Sequence, residues 1–177
     1  MQVHLIYMHM HLLSMHLQPD SVGVVNPLDD DALAAWRAFL EAHALVTRRI
    51  SRDLADAGLP DLSWYDLLWA LYRQPERSLR VKDLAREVVL SPTAMSRFVD
   101  RVEAAGHVRR RPDPDDRRAL RIELTESGEE LLRRMWPVYR RGIEEHFAAH
   151  LGRSPGRMAA GLERMAAAAR RGATDAR

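Results

Sequence analysis

The stretch from Ser91 to Thr125, SPTAMSRFVDRVEAAGHVRRRPDPDDRRALRIELT, constrains this chain more than any other. Its hydrophobic period changes partway along. Met95, Phe98, Val99 and Val102 recur at helical spacing and so share one face. Ser91 is placed to cap that helix, and Pro92 suits its first turn, where the missing amide would be unpaired anyway. Gly106 suits its end, because a left-handed residue there costs glycine little. At 100° per residue, Thr93, Ser96, Arg97 and Asp100 point away from the apolar face, with Arg101 at the border. Beyond Gly106 the period shortens to two. Leu120, Ile122 and Leu124 alternate with Arg121, Glu123 and Thr125, which marks a half-buried strand. His107 to Arg111 supplies a partner strand, and Pro112 to Asp116 a turn-rich tip followed by Arg117 and Arg118.

A short helix showing hydroxyls and arginine to solvent, followed by an arginine-tipped two-stranded arm, is the order of a winged helix-turn-helix. The residues upstream agree. Val81 to Val89 reads as a helix with Val81, Leu84, Ala85 and Val88 inward, preceded by Arg80, a poor cap. Two short helices joined by a tight turn, the second with a polar outer face, form the helix-turn-helix pattern. From Arg97 to Arg121 there are eight arginines against five acids, whereas the whole chain has a net charge of only +2. The basic character is therefore local, and the motif geometry rather than charge points to nucleic acid.

The flanks are helical. Asp29 to Asp31 precede a run of more than 20 residues in which Leu33, Trp36, Leu40, His43, Ile50 and Leu54 share a broad face, ending near Gly58 and Pro60. So long an amphipathic helix asks for a partner surface. Ser63 and Asp66 resemble a capping box for a second helix, Trp64 to about Tyr72, and Leu79 with Arg80 can form a short strand. After the wing, Thr125 caps a long helix opened by Glu126, Glu129 and Glu130, kinked at Pro137 and ended by Gly152. Asp100 is placed to brace Arg97, one turn earlier. A last helix starts at Ser154 and Pro155, with Met158, Leu162, Met165 and Ala169 in register.

Several classes are excluded or disfavoured. With no cysteine there is no disulfide, zinc knuckle or thiol redox centre. No phosphate loop, HExxH pair or serine elbow is present, so an enzyme is not expected. No metal or other cofactor is expected: His4, His9, His11 and His16 form no compact repeated pair, and His146 and His150 are an isolated i, i+4 pair. The apolar segment 1–19 is too short and interrupted to span a membrane and lacks a secretory cleavage site. The expectation is a cytoplasmic protein with no membrane partner and a poorly ordered N-terminal extension from an upstream start.

Gly106 to Arg110, then Asp113-Pro-Asp-Asp-Arg-Arg118, Leu124-Thr125 and Gly128, together with Leu84-Ala85 and Ser91 to Arg101, resemble the MarR (multiple antibiotic resistance regulator) family over residues 30–171. The resemblance implies a mainly α fold with a small β-wing: a winged helix-turn-helix lobe plus a helical dimerisation domain. The expected divisions are an extension at 1–28, a first dimerisation helix at 29–60, the DNA-binding lobe at 61–125, dimerisation helices at 126–171 and a frayed tail at 172–177. It implies a homodimeric regulator, most often a repressor, on a pseudo-palindrome in double-stranded DNA. Thr93, Ser96 and Arg97 would face bases or the groove, while Ser91, Arg101, Arg110 and Arg117 would meet the phosphate backbone. Arg118 would enter the minor groove, positioned by Asp116. Such regulators often release DNA when a small, frequently aromatic and anionic ligand binds. Trp36, His43, Trp64, Trp69 and His146 are the candidate effector pocket. The competing reading is a winged-helix protein–protein module without effector response, which lacks a steep salt-dependent affinity for duplex DNA.

Overall fold

The computed structural model describes residues 29–116 and 119–174, so the expectations for 1–28, Arg117, Arg118 and 175–177 lie outside the described residues. In chain order the elements are α1 (Asp30–Asp56), α2 (Leu62–Tyr72), β1 (Ser78–Arg80), α3 (Val81–Glu87), α4 (Pro92–Ala104), β2 (Val108–Pro112), β3 (Leu120–Leu124), α5 (Glu126–His146), a single 3-10 turn (Ala148–His150) and α6 (Pro155–Thr174). The fold is mainly helical with one small antiparallel sheet of order β1-β3-β2, as a winged helix-turn-helix requires. The chain divides into two units between Arg48 and Arg49, within α1.

In the first unit α1 carries Trp36 stacked on Phe39, with His43 tilted against Phe39 one turn on. Trp36, Phe39 and Leu45 are exposed. The second unit holds most of the core. Ile50 and Leu54 of α1 are buried there, with Leu67, Leu68 and Leu71 of α2, Leu84 of α3, Met95, Val99 and Val102 of α4, Ile122 of β3 and Met135 of α5. The apolar face read for α4 is the face the structure buries: Met95, Phe98, Val99 and Val102 are at most 4% exposed.

Local chemistry sets the boundaries. Ser91 caps α4 by accepting the Ala94 N–H at 3.2 Å. The capping expectation for α2 is corrected: Asp61, not Ser63, is its N-cap, accepting the Ser63 N–H at 2.9 Å. A carboxylate two residues before the first free amide reaches it, which leaves Ser63 inside the first turn and Asp66 in the helix body rather than in a cap. Helix α3 stops at Glu87, short of Val89, because Val89 takes a left-handed φ of 54° and the Leu90 N–H turns back to the Ala85 carbonyl. Helix α5 runs through Pro137 but ends at His146, before Gly152, where the chain tightens into the 3-10 turn.

The base of the wing is knit to α5 at one point. Gly106 adopts φ 81° after α4, and its carbonyl accepts the Thr125 hydroxyl at 2.8 Å. Thr125 Oγ1 also accepts the Gly128 N–H at 3.1 Å, capping α5. Gly128 lies so close to the start of the wing that a Cβ there would stand 2.2 Å from the His107 carbonyl oxygen and 2.7 Å from Leu124 Cδ1. The neighbour that would have to yield is backbone. Gly128→Ala should therefore cost about 3 kcal/mol of stability, measured by urea unfolding.

Candidate nucleic-acid interface

The outer face of α4 is open. Ser91, Thr93, Ser96 and Arg97 are all exposed. The Ser91 oxygen accepts the Ala94 N–H, and its hydroxyl hydrogen stays available as a donor. Among the described residues, neither Arg97 nor Arg101 has a carboxylate within ion-pair distance; Arg101 lies over the Phe98 ring, 5.2 Å from its centroid. An uncompensated guanidinium on a polar helix face can present its donor fork to a base edge or a phosphate.

Asp100 does not brace Arg97. Its partner is Arg110 of β2, whose guanidinium also meets the Glu103 carboxylate, while the Arg110 N–H donates to Glu103 Oε1 at 2.8 Å. The backbone contact aligns Glu103 toward β2, and Arg110 then spans both acids. This ties α4 to the first strand of the wing and occupies the guanidinium that the sequence assigned to DNA backbone. Arg109 and Arg111 likewise share Glu123 of β3, and this double pairing holds the Glu123 carboxyl below its usual range.

The wing is organised around a residue that periodicity did not single out. Asp113, at the end of β2, is buried. Arg80 Nε and Nη2 donate to its two oxygens at 2.7 and 2.8 Å. The Asp115 and Asp116 N–H groups donate to Asp113 Oδ1 at 3.0 and 3.1 Å. Arg121 Nη1 stands 3.6 Å from Asp113 Oδ2, and its Nε donates to Ser78 Oγ at 3.0 Å. The Arg80 fork, above all, holds the Asp113 carboxyl down to about 2, against the cost of desolvation. A signal for this was present in the sequence. Asp-Pro-Asp-Asp after a strand is an aspartate placed to bond amides two and three residues on. Asp116 has its own N–H held in this way, and its carbonyl accepts the Ala119 N–H at 2.8 Å.

Of the candidate effector residues, the three in the second unit, Trp64, Trp69 and His146, are not brought into one site. In the second unit a shallow cavity of about 350 Å³ is lined by Asp66, Trp69, Ala70 and Arg73 of α2, Glu87 at the end of α3, and Val88 and Val89. Trp69 is the one candidate on its wall. Trp64 instead packs edge-on against Phe98 and His107, and His146 Nε2 lies 2.7 Å from Asp53 Oδ2. Trp36 and His43 lie in the first unit. The aromatic wall continues behind Trp69, which stacks on Tyr65 and Tyr72, and Tyr65 meets Tyr139 edge-on at 4.6 Å. Burial, with Tyr139 and Asp66 nearby, pushes the Tyr65 hydroxyl up to about 12.

Asp66, which the sequence reading left out of the pocket, is perturbed. The protein mass around it, with the nearby Asp61 charge, raises it to about 6 even though the residue keeps an exposed surface at the cavity. A carboxyl whose folded value lies above its unfolded value loses stability as pH rises between the two. Asp66→Asn should therefore raise Tm above about pH 6 and leave it unchanged below about pH 4, measured by thermal unfolding across that range.

Among the described residues, no group of three or more His, Asp or Glu is arranged to hold a metal ion, and no helix is long and apolar enough to cross a membrane.

Comparison with known proteins places this geometry. Residues 57–119 match the sequence profile described as the MarR family. AbsC, a MarR family transcriptional regulator from Streptomyces coelicolor, shares 31% identity, with a TM-score of 0.74 covering 82% of this chain and 98% of AbsC. Sco3205, another MarR family transcriptional regulator from that organism, solved in complex with DNA, shares 31% identity with a TM-score of 0.72 over 80% of this chain and 89% of its own. The transcriptional repressor MprA of Escherichia coli is 32% identical over 82 residues, and this chain spans about half of its length, 47%.

Proposed function

This chain belongs to the MarR family of transcriptional regulators, and from that premise we propose that it binds double-stranded DNA as a homodimer, represses transcription from a pseudo-palindromic operator and releases it on binding a small ligand. The observation that carries the reading is the exposed face of α4, with Ser91, Thr93, Ser96 and Arg97 unmasked beside an arginine-rich wing. Two such faces in a two-fold dimer would enter successive major grooves about one helical turn apart. Arg97 is the base reader, with Thr93 and Ser96 beside it. Ser91 and Arg101 meet phosphates, and Arg110 acts first as the link between α4 and the wing. Arg117 and Arg118 keep the backbone and minor-groove roles that the resemblance implies, with Asp116 as the positioning residue.

The dimer reading is supported by apolar side chains left in solvent on the terminal helices: Trp36, Phe39 and Leu45 on α1, and Met158 and Met165 on α6. The effector reading is supported by the cavity at Trp69, which has an aromatic wall, a perturbed carboxyl at Asp66 and an Arg73–Glu87 ion pair at its edge. Trp69, the candidate on the wall of that cavity, is the contact to test first.

Arg97→Ala should cost about 1–3 kcal/mol of operator affinity and narrow the gap between operator and unrelated duplex. Arg118→Ala should weaken both by a similar factor and make the salt dependence shallower by about one phosphate contact. Fluorescence anisotropy with duplex from the gene's own upstream region, across a salt series, reads both. Equal weak binding to all sequences by the wild-type protein would favour the protein–protein module. Aromatic acids titrated into the operator complex should release DNA and quench tryptophan fluorescence in the wild type, with Trp69→Phe losing most of the quenching; no release across a broad panel would leave a regulator without an effector.

A further inference from the structure

We infer that Arg80 and Asp113 are positioning residues for DNA binding, whose ion pair fixes the wing tip to the helix-turn-helix before a duplex arrives. The inference rests on the DNA-binding reading above. Its ground is the sheet register. Arg80 of β1 lies opposite Arg121 of β3, and Arg121 lies opposite Arg111 of β2. Three guanidinium groups therefore stand in one row across the sheet, an arrangement that like-charge repulsion opposes. Glu123 takes Arg111, and Arg121 reaches Glu76 at 3.2 Å as well as Asp113 at 3.6 Å, which leaves Asp113 as the carboxylate that Arg80 grips with its fork.

Arg80 also has a second position. It is the last residue of β1 and the residue before α3, with no side-chain capping bond of its own to make. Its side chain is thus free to leave the helix start and cross the sheet. Asp113 lies at the far edge, past β3, and with the same carboxylate accepts the N–H groups of Asp115 and Asp116. One carboxylate joins the start of α3 to the backbone of the tip. Arg80 and Arg121 are consumed in doing so, which takes two arginines of the lobe off the inventory of phosphate contacts. A tip held in place beforehand gives up less conformational freedom on meeting DNA, so its contacts appear more fully as affinity.

The full chain carrying Asp113→Asn, Arg80→Gln, both together, or Arg80→Lys tests this against wild type. Two readouts are needed: amide hydrogen exchange, and affinity for the upstream duplex over a salt series. Each of Asp113→Asn and Arg80→Gln should weaken binding roughly tenfold, and the double variant no more than the worse single, because the two act through one contact. Arg80→Lys, which keeps the charge but not the fork, should fall between. The salt slope should stay that of wild type, since no phosphate contact is lost. Exchange at the Asp115 and Asp116 amides should quicken, while the α2 core keeps its protection and shows the variants folded. Unchanged affinity in both singles, losses that multiply in the double, or a slope shallower by about one in Arg80→Gln alone would overturn the inference. The last of these would make Arg80 a phosphate contact. Wild type binding with sequence preference while the variants match it sinks the brace alone; wild type binding no duplex sinks the DNA-binding reading and the positioning role together.

Discussion

The wing depends on one buried carboxylate. Asp113 has almost no access to water, so its charge must be met by protein, and it is met by the Arg80 fork, by Arg121 and by two backbone amides. Each of those partners belongs to a different part of the lobe: the strand before α3, the central strand and the tip. Removing the acid would leave three arginines in register across a three-stranded sheet. A surface ion pair could be lost without much consequence, but this one sits where the sheet, the tip and the helix-turn-helix meet.

Two further contacts extend that order through the lobe. Arg110 binds Asp100 and Glu103, which joins α4 to β2 by two ion pairs. Thr125 ties the Gly106 carbonyl to the first turn of α5, and Gly128 allows the close approach that this needs. Helix α4 is thereby tied to both the wing and the long helix that follows it, with its outer face left open. A change in the angle of α5 would therefore be felt at α4.

The elements were legible in the sequence because burial imposes a period. The α4 face of Met95, Phe98, Val99 and Val102, the alternation of Leu120, Ile122 and Leu124, and the Ser91 and Thr125 caps all follow from local spacing. What was not legible was the choice among nearby polar partners. Asp100 could reach Arg97 on its own helix or Arg110 across the lobe, and only the packing of β2 on α4 decides for Arg110. Asp61 and Ser63 are rival caps for the start of α2, and Asp61 takes the position by accepting the Ser63 N–H. The effector pocket was the least legible part. Tryptophans at helical spacing say that a helix has an aromatic face, but not which ring lines a cavity. Trp64 packs half-buried and edge-on beside Phe98, and Trp69 lines the wall. Asp66 gains its significance from density around it, which no spacing records.

In the proposed dimer, two copies of the α4 face read one duplex. Hydroxyl-radical footprinting of the gene's upstream region with the purified full-length chain tests it most directly. Two symmetric protected segments are expected, centred roughly one helical turn apart, with flanking protection where each wing reaches the backbone, all fading together as salt rises. A single unpaired segment, or no protection at any salt concentration, would contradict it.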